Sequence, residues 1–414
     1  FFFFLIVSID CFVVRMDQGL ELAEWCKNLE RSVLRQMISV VSKPGILSFA
    51  GGLPSPELFP VQDFSDSIQH VLDTDPSALQ YQPPFQPLKE HIVKLVAKRG
   101  ITCTKDEIFI TTGAQQGLDI LARLFLNPHG DVILEENIYT GIQQVINPLQ
   151  PKVHAVKTDL DTGIDVDAVE ELFKNGIRPP FLYVVPNAQN PLGVSISLEK
   201  RKKLVKLARE YHVPVIEDDP YGFLCYEKES DTCLRALESE WVFYLGSFSK
   251  VLAPGLRIGW MLVPSKLIST LTNIKEAYDL ESSGLIQRAI SAYLDKGVFD
   301  THLKSLCDVY GERRDIMLAA LEKYFPKGTK WTKPNAGMFI WVVLKEGIDS
   351  AELLQYVLEK EKVAFIPGYA FSVPGTNAKN CIRLNFSNTR TENIDDGMKR
   401  LGSAISQFME TKGL

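Results

Sequence analysis

The chain has 414 residues, of which 45% are hydrophobic and 23% charged, and its formal net charge at pH 7 is −6. This length suits two domains or one large α/β domain with an appendage, and the composition is that of an ordinary globular enzyme. The acidic balance argues against a nucleic-acid-binding surface. The densest basic run, at residues 199–203, opens an amphipathic helix pattern and is explained by a solvated helix face.

The cysteines and histidines narrow the possible classes of protein further. The 7 cysteines are odd in number and form no C-x-x-C pair, which predicts reduced thiols and a cytoplasmic protein. The 6 histidines show no metal-ligand spacing, so we expect no metal site.

The first predicted segment is an apolar extension over residues 1–15. It is shorter than the ~20 residues that span a bilayer, and it lacks the basic start and small-residue cleavage site of a signal peptide. We expect the working protein to begin at Met16 and to have no membrane partner; a short membrane anchor is the alternative.

The next elements alternate in type along the chain. A helix is predicted over about residues 20–43, followed by a short strand at 46–49 and a loop rich in glycine and proline at 51–56. Helices then separate most of a series of apolar strands, which are predicted at residues 108–111, 131–134, 153–156, 181–185, 213–217, 241–246 and 258–263. Such alternation predicts an α/β fold with a mostly parallel sheet.

The pattern changes after residue 264. Long helical patterns run over about residues 265–325, and a closing helix is predicted at about 391–411. Between them, strands are predicted at residues 338–343, 363–366 and 382–385. We therefore expect a joining segment at residues 16–60, a large domain at 61–290 and a smaller α+β domain at 291–414.

The most informative polar group follows the strand at residues 241–246. Ser247, Ser249 and Lys250 come directly after that strand, and Arg257 follows seven residues after the lysine. A lysine amine can form a Schiff base with an aldehyde cofactor, and hydroxyls with an arginine can hold a phosphate. The ordinary alternative is a solvated lysine after a turn.

Further polar residues stand at other strand ends. The glycine turn before residues 114–118 can present free backbone N–H groups to a phosphate. Asn190 precedes a proline after one strand, and Asp218 with Tyr221 follows another. An aspartate facing a pyridine nitrogen keeps that nitrogen protonated, which makes the ring an electron sink. Each pattern alone is also compatible with a plain turn.

Arg383 lies within an alternating strand pattern at residues 381–386. An arginine in a strand is either solvent-exposed or holds an anion, and a fork-to-carboxylate pair is what an amino-acid substrate requires. Because open α/β sheets bind ligands at the carboxyl ends of their strands, the recurrence of polar groups at strand ends favours one shared site.

With these residues in place, the chain resembles the fold-type I, pyridoxal-phosphate-dependent aminotransferases, and most closely the group with 2-aminoadipate, kynurenine and aromatic amino-acid aminotransferases. The resemblance covers roughly residues 30–410. Its matching stretches are residues 44–54, 115–117, 190–191, 218–221, 247–257, 337–339, 365–368 and 383–384.

The resemblance implies a fold, an activity and partners. The fold would be a mostly parallel mixed sheet sandwiched by helices, plus a smaller α+β domain. The activity would be amino transfer from an L-amino acid of 2-aminoadipate, aromatic or branched-chain type to a 2-oxo acid, with 2-oxoglutarate as the expected acceptor and pyridoxal 5′-phosphate as the cofactor. The protein would be an obligate homodimer whose active site is shared between subunits.

The resemblance also implies residue roles. Lys250 would bond the cofactor aldehyde and move the substrate proton, Asp218 would pair with the pyridine nitrogen, and Tyr221 and Asn190 would bond the 3-oxygen. The phosphate would be bound by Ala114, Gln115, Ser247, Ser249, Arg257 and the neighbouring subunit's Tyr81. Tyr139 would stack on the ring. Substrate contacts would come from Arg383, Asn190, Gly52, Leu53, Tyr81 and, on the first helix, Arg35.

The chain departs from the family pattern in several places. Ala114 stands where relatives usually have serine, Leu192 replaces the usual threonine, and Asn335 and Ala336 replace the commoner glycine form. The loop at residues 82–87 is shorter than usual, which leaves substrate preference most open.

Other functions remain compatible with the pattern. One is a different activity with the same cofactor, such as decarboxylation, β-elimination or a synthase reaction. Another is the effector domain of a transcription regulator, for which the stretch between Met16 and Pro44 is too short to hold a basic winged-helix segment. A third is an inactive interaction protein, which the intact Lys250 and Asp218 argue against.

Overall fold

The computed structural model describes Glu21 and residues 23–27, 44–227 and 232–414. Most of the predicted first helix, including Arg35, and the whole apolar extension at residues 1–15 lie outside the described residues. Within the described ranges, no helix is both long and apolar enough to cross a bilayer.

The helices are α1 (Glu24–Lys27), α2 (Val61–Thr74), α3 (Gln86–Ala97), α4 (Ala114–Phe125), α5 (Thr140–Ile146), α6 (Val166–Lys174), α7 (Leu198–Tyr211), α8 (Leu234–Leu237), α9 (Ile268–Asp279), α10 (Gly284–Asp295), α11 (Phe299–Tyr324), α12 (Ser350–Lys360) and α13 (Thr391–Lys412). The strands are β1 (Leu47–Ser48), β2 (Ile108–Thr111), β3 (Asp131–Glu135), β4 (Lys152–Val156), β5 (Thr158–Asp159), β6 (Gly163–Ile164), β7 (Leu182–Val184), β8 (Val215–Asp218), β9 (Val242–Ser247), β10 (Gly259–Leu262), β11 (Lys330–Trp331), β12 (Phe339–Val343), β13 (Val363–Ala364), β14 (Ile366–Pro367) and β15 (Cys381–Asn385).

A seven-stranded sheet organises the first part of the chain, with strand order β2-β10-β9-β8-β7-β3-β4. Only β10 runs antiparallel to its neighbours, β2 and β9. The remaining neighbours are parallel. The carboxyl ends of β2, β3, β7, β8 and β9 therefore lie along one edge, where loops can bring their residues together. This confirms the predicted α/β class with a mostly parallel mixed sheet.

The sheet is apolar on both faces because helices cover each one. In β7, Leu182 and Val184 join one buried cluster with α6 and α7, while Tyr183 joins the other and larger cluster. In β8, Val215 and Ile216 divide between the clusters in the same way. This period-2 alternation fixes which face every later residue of these strands occupies.

A four-stranded antiparallel sheet, in the order β11-β12-β15-β14, forms the core of the later part of the chain. The single strand predicted at residues 363–366 is two short strands instead: β13 pairs with β1, and β14 pairs with β15. The apolar pattern continues through β13 and β14, so it gives no sign that the chain changes its pairing partner within four residues. The proposed domain bounds at residues 61–290 and 291–414 stay a prediction.

The segment after β1 connects the two sheets. The Phe49 carbonyl accepts a hydrogen bond from the Asn385 N–H of β15, and the Leu53 carbonyl accepts one from the Ser387 hydroxyl. Between these anchors, the backbone of residues 50–52 runs towards the carboxyl edge of the seven-stranded sheet. Residues from both sheets can thus meet in one place.

The close crossing of α11 and α13 gives a test of packing. A Cβ at Gly402 of α13 would lie only 2.4 Å from the Tyr324 backbone oxygen at the end of α11. We expect Gly402→Ala to lower the free energy of unfolding by about 1–3 kcal/mol, because backbone must move to admit the methyl group. Denaturant titration followed by circular dichroism measures the loss. The exposed neighbour Ser403→Ala is the control and should unfold like the unaltered protein; equal stability of both variants would contradict the packing account.

Candidate active site

One cavity of about 290 Å³ lies at the carboxyl edge of the seven-stranded sheet. The predicted site residues that line it are Gly52, Leu53, Ala114, Gln115, Tyr139, Asn190, Asp218, Tyr221, Ser247, Ser249, Lys250, Arg257 and Arg383. Tyr81 does not line it: its side chain is 80% exposed and borders a different surface cavity. Arg35 lies outside the described residues.

Lys250 lies in the turn that follows β9. Its Nζ donates a 2.8 Å hydrogen bond to the Gly52 carbonyl in the segment after β1. Burial and then the positive charges of Arg383 and Arg257 lower the pKa of this amine to about 8. The neutral form, which acts as a nucleophile and as a base, is therefore much more populated near physiological pH than in an ordinary lysine.

Asp218 ends β8 and points to the same cavity. Its Oδ2 accepts a 2.8 Å hydrogen bond from the Tyr183 hydroxyl, whereas its Oδ1 is buried without a hydrogen-bond partner among the described residues. Burial raises the pKa of the carboxyl to about 7, the Tyr183 bond opposes that rise, and the nearby Asp219 charge adds to it. An orphaned carboxylate oxygen in a cavity is suited to a ligand that brings an N–H.

An anion-binding cradle is formed where α4 begins. Gly113 has a φ of +81°, and a Cβ there would lie 2.4 Å from Nη2 of Arg257, so the close approach of the guanidinium depends on glycine. Arg257 has its Nη1 and Nη2 near the carbonyls of Pro254 and Thr112, at 3.3 and 3.4 Å. Ser247 and Ser249 line the same cavity, and the Ser247 Oγ accepts a hydrogen bond from the Ser249 N–H at 3.1 Å. Together with the free N–H groups of the helix start, they fit a phosphate.

Arg383 of β15 brings a cation from the four-stranded sheet into the cavity. It is 1% exposed, and its Nη1 and Nη2 donate to Asn190 Oδ1 at 2.7 Å and the Ala50 carbonyl at 2.8 Å. The rings of Phe339 and Phe371 lie 4.2 and 4.7 Å from the guanidinium carbon. Burial lowers the pKa of Arg383 to about 9, and no carboxylate partner is shown among the described residues, so an anionic ligand would fit.

Further polar groups line the same cavity. Burial raises the pKa of the Tyr221 hydroxyl, so it stays protonated, and Asn190 hydrogen-bonds it. The Tyr139 hydroxyl donates to Gln115 Oε1 at 3.1 Å, and Gln115 Nε2 donates to the Gly141 carbonyl at 3.0 Å. This pair fixes the Tyr139 ring beside the cavity.

Sequence reasoning missed several residues of the site. Tyr183, Phe339 and Phe371 read as ordinary core residues, because an apolar strand pattern does not show which aromatic side chain ends beside a charge. Tyr183 and Asp218 could have been linked only through the β7–β8 register, in which Tyr183 faces Ile216.

The cavity therefore combines a neutralisable amine, an anion cradle, an unpaired buried carboxylate oxygen and a buried guanidinium. A group with a phosphate, an aromatic ring nitrogen and an aldehyde matches the cradle, Asp218 Oδ1 and Lys250 together. The guanidinium of Arg383 is left for a second anion, such as a substrate carboxylate.

The comparisons with known proteins agree with this geometry. The family model described as aminotransferase class I and II matches residues 55–401 of this chain. The aromatic-amino-acid aminotransferase 1 of Thermococcus litoralis is 37% identical over 404 residues, which is 95% of this chain and 96% of that protein.

Solved structures give the same result. The Pyrococcus horikoshii kynurenine aminotransferase, in complex with PMP, has a TM-score of 0.88 and 38% identity over 94% of this chain and 97% of its own. LysN, the α-aminoadipate aminotransferase of Thermus thermophilus, complexed with N-(5′-phosphopyridoxyl)-L-leucine, has a TM-score of 0.87 and 34% identity over 94% of this chain and 98% of its own.

This chain belongs to the class I and II aminotransferases. It has the fold of the pyridoxal-phosphate-dependent, fold-type I enzymes, and it is a transaminase that uses pyridoxal 5′-phosphate. The cradle at the start of α4, the orphaned Asp218 oxygen and the Lys250 amine fit that cofactor.

The charge around Lys250 gives a pH-dependent prediction. Because Arg383 helps to lower the pKa of Lys250 to about 8, Arg383→Met should move the pKa upwards. The rate of pyridoxal phosphate uptake by cofactor-free enzyme, followed by absorbance against pH, should then have its midpoint at higher pH. Arg178→Leu, which removes an exposed arginine, should leave the midpoint in place. An unchanged midpoint in Arg383→Met would show that this charge does not act on the amine.

Proposed function

We propose that the protein transfers the amino group of an L-amino acid of 2-aminoadipate, aromatic or branched-chain type to a 2-oxo acid, with 2-oxoglutarate as the acceptor, and that the residues of the described cavity perform this reaction. The observation that carries the proposal is the position of Lys250 in one cavity with the unpaired Asp218 oxygen, the anion cradle and Arg383. The cofactor supplies an aldehyde that bonds amines and a ring that withdraws electrons.

Lys250 is the proposed catalytic base and acid. Its lowered pKa leaves a neutral amine that can take a proton from the substrate Cα and return it at the other end of the reacting system. The Gly52 carbonyl holds Nζ at 2.8 Å, which keeps the amine at the cavity while it is not bonded to the cofactor.

The cofactor would be held by groups from five strand ends. Ala114, Gln115, Ser247, Ser249 and Arg257 would bind the phosphate. Asp218 would keep the ring nitrogen protonated, and Tyr221 and Asn190, which already hydrogen-bond each other, would donate to the 3-oxygen. Tyr139 would stack on the ring, in the orientation that Gln115 fixes.

Arg383 is the proposed site for the substrate α-carboxylate. Asn190 and the Ala50 carbonyl each hold one end of its guanidinium. Because the aromatic rings cover the guanidinium and exclude water from it, a carboxylate bound there would have a fixed orientation. Gly52 and Leu53 would line the side-chain pocket, and Leu53 is 54% exposed at its mouth. Arg35 is proposed to reach the substrate side chain.

The substrate class rests on the relatives. One is named for aromatic amino acids, one structure for kynurenine, and LysN for α-aminoadipate with a leucine adduct bound. These names span acidic, aromatic and branched side chains, so the proposal keeps all of them as donors.

We also propose a homodimer with shared active sites. Leu79, Tyr81 and Leu280 are 72%, 80% and 58% exposed, which is unusually high for large apolar side chains. Ala78–Gln82 borders a cavity of about 440 Å³ with residues 281–285, apart from the Lys250 cavity of its own subunit. Tyr81 would complete the partner's site by bonding the phosphate and bordering the substrate.

A cytoplasmic location is proposed as well. Among the described residues, the cysteines at positions 26, 103, 233, 307 and 381 are free thiols, as is usual in a reducing compartment.

The substrate proposal is tested by measuring glutamate formed from 2-oxoglutarate with a panel of amino acids. We expect 2-aminoadipate, aromatic or branched-chain donors to give the highest kcat/KM. Lys250→Ala should lower the rate by roughly 10²–10⁴-fold or more, because the proton at Cα loses its base. The control is Lys200→Ala, since Lys200 Nζ makes the same kind of 2.8 Å bond, to the Gly163 carbonyl, away from the site. Glutamate formation from none of these donors, or full activity of Lys250→Ala, would refute the proposal.

The shared site is tested with mixed dimers. Lys250→Ala and Tyr81→Ala are each expected to be poorly active as pure dimers. A dimer with one subunit of each kind should regain activity at one site, because that site takes Lys250 from one chain and Tyr81 from the other. Activity is measured after the two variants are unfolded and refolded together. A mixture no more active than the average of the two pure variants would contradict a shared site.

A further inference from the structure

Three consecutive carboxylates at the end of β8 are buried: Glu217, Asp218 and Asp219 are 0%, 5% and 1% exposed. Because successive side chains of a strand alternate between faces, each has different neighbours. Glu217 accepts hydrogen bonds from the Leu234 and Arg235 N–H groups at the start of α8, on the face away from the cavity. Buried charges require such partners, so the partner of each carboxylate is informative.

The partner of Asp218 comes from the neighbouring strand. In the β7–β8 register Tyr183 is opposite Ile216, so Tyr183 and Asp218 are diagonal neighbours on one face, within reach of a long side chain. Tyr183 is 0% exposed, and its hydroxyl donates to Asp218 Oδ2 at 2.8 Å. That bond occupies one carboxylate oxygen and leaves Oδ1 as the one that can meet a ligand.

Asp219 has the corresponding arrangement on the other side of β8. Tyr244 of β9 is opposite Glu217 in the register, and its hydroxyl donates to Asp219 Oδ2 at 3.1 Å. Asn187 and Arg99 complete the shell of Asp219 at 2.7 and 3.3 Å. Asp218 has no cation at the same distance among the described residues, so its ionised form depends on Tyr183 alone until a ligand binds.

We propose that Tyr183 is a positioning residue for the cofactor: its hydroxyl holds the carboxylate of Asp218 so that Oδ1 faces the ring nitrogen, and it keeps the shared proton on that nitrogen. The inference rests on the proposed pairing of Asp218 with the ring. A carboxylate that accepts a hydrogen bond is a weaker base, so the proton stays on the nitrogen rather than moving to the carboxylate. The tyrosine can only donate in this pair, because burial and then the Asp218 charge raise the pKa of its hydroxyl well above the usual range.

The test uses the holoenzyme loaded with pyridoxal phosphate carrying ¹⁵N in its ring, and the ¹⁵N chemical shift reports where the proton is. In Tyr183→Phe, Asp218 becomes more basic, so the resonance should move towards that of an unprotonated pyridine. The dissociation constant of pyridoxamine phosphate, measured by fluorescence, should rise about tenfold, as expected for the loss of one hydrogen bond to a buried charge.

The matched control is Tyr244→Phe, which removes a hydroxyl from an equally buried tyrosine that bonds the adjacent carboxylate. Its resonance should stay at the wild-type position, because Asp219 keeps Arg99 and Asn187. Equal movement in both variants, or no movement in Tyr183→Phe, would overturn the role of Tyr183.

Two further variants distinguish a failure of the proposed Asp218 pairing from a failure of the inference about Tyr183. Asp218→Asn should move the resonance fully to the unprotonated side; if it does not, the pairing of Asp218 with the ring falls and the inference falls with it. If Asp218→Asn moves the resonance and Tyr183→Phe does not, only the inference about Tyr183 is wrong. Should Tyr183→Phe not fold, 3-fluorotyrosine at position 183 retains the hydroxyl as a stronger donor, and the resonance should move to the protonated side; an unmoved resonance would refute the inference.

Discussion

The guanidinium of Arg383 joins the two sheets of the chain at the cavity. It belongs to the four-stranded sheet, yet it donates to Asn190 in a loop of the seven-stranded sheet and to Ala50 in the segment that connects the two. Because the group is 1% exposed, any rearrangement that broke these bonds would leave a buried charge without partners. This set of bonds therefore helps to fix the relative placement of the sheets and, with it, the shape of the cavity.

The second constraint is how buried charges are distributed along one strand end. Glu217, Asp218 and Asp219 would repel one another if they shared an environment. Because successive side chains alternate between faces, Glu217 bonds the start of α8, Asp218 bonds Tyr183 beside the cavity, and Asp219 pairs with Arg99. Of these three, only Asp218 keeps an unused oxygen. In the same cavity, burial and then the charges of Arg383 and Arg257 lower the pKa of Lys250 to about 8, so a carboxylate with an unused oxygen and an amine that loses its proton readily lie together.

Much of this arrangement could be predicted from the sequence. Apolar runs bounded by polar residues located every strand of the large sheet to within two residues, since burial on both faces demands continuous apolar segments. Because open α/β sheets bind ligands at the carboxyl ends of their strands, Asn190, Asp218 and Lys250 were expected in one site, and the structure brings them together. The change of partner between β13 and β14 and the reach of Tyr183 to Asp218 could not be predicted, because strand pairing and register are set by contacts between distant parts of the chain. Tyr81 is a third case, since nothing in a single chain shows what covers an exposed side chain.

The central claim is that Lys250 holds the cofactor. Borohydride reduction of the holoenzyme, followed by proteolysis and mass spectrometry of the peptides, tests it most directly, because reduction makes the bond between lysine and cofactor permanent. The account predicts a single phosphopyridoxyl group on Lys250. A phosphopyridoxyl group on another lysine, or none on any peptide, would contradict it.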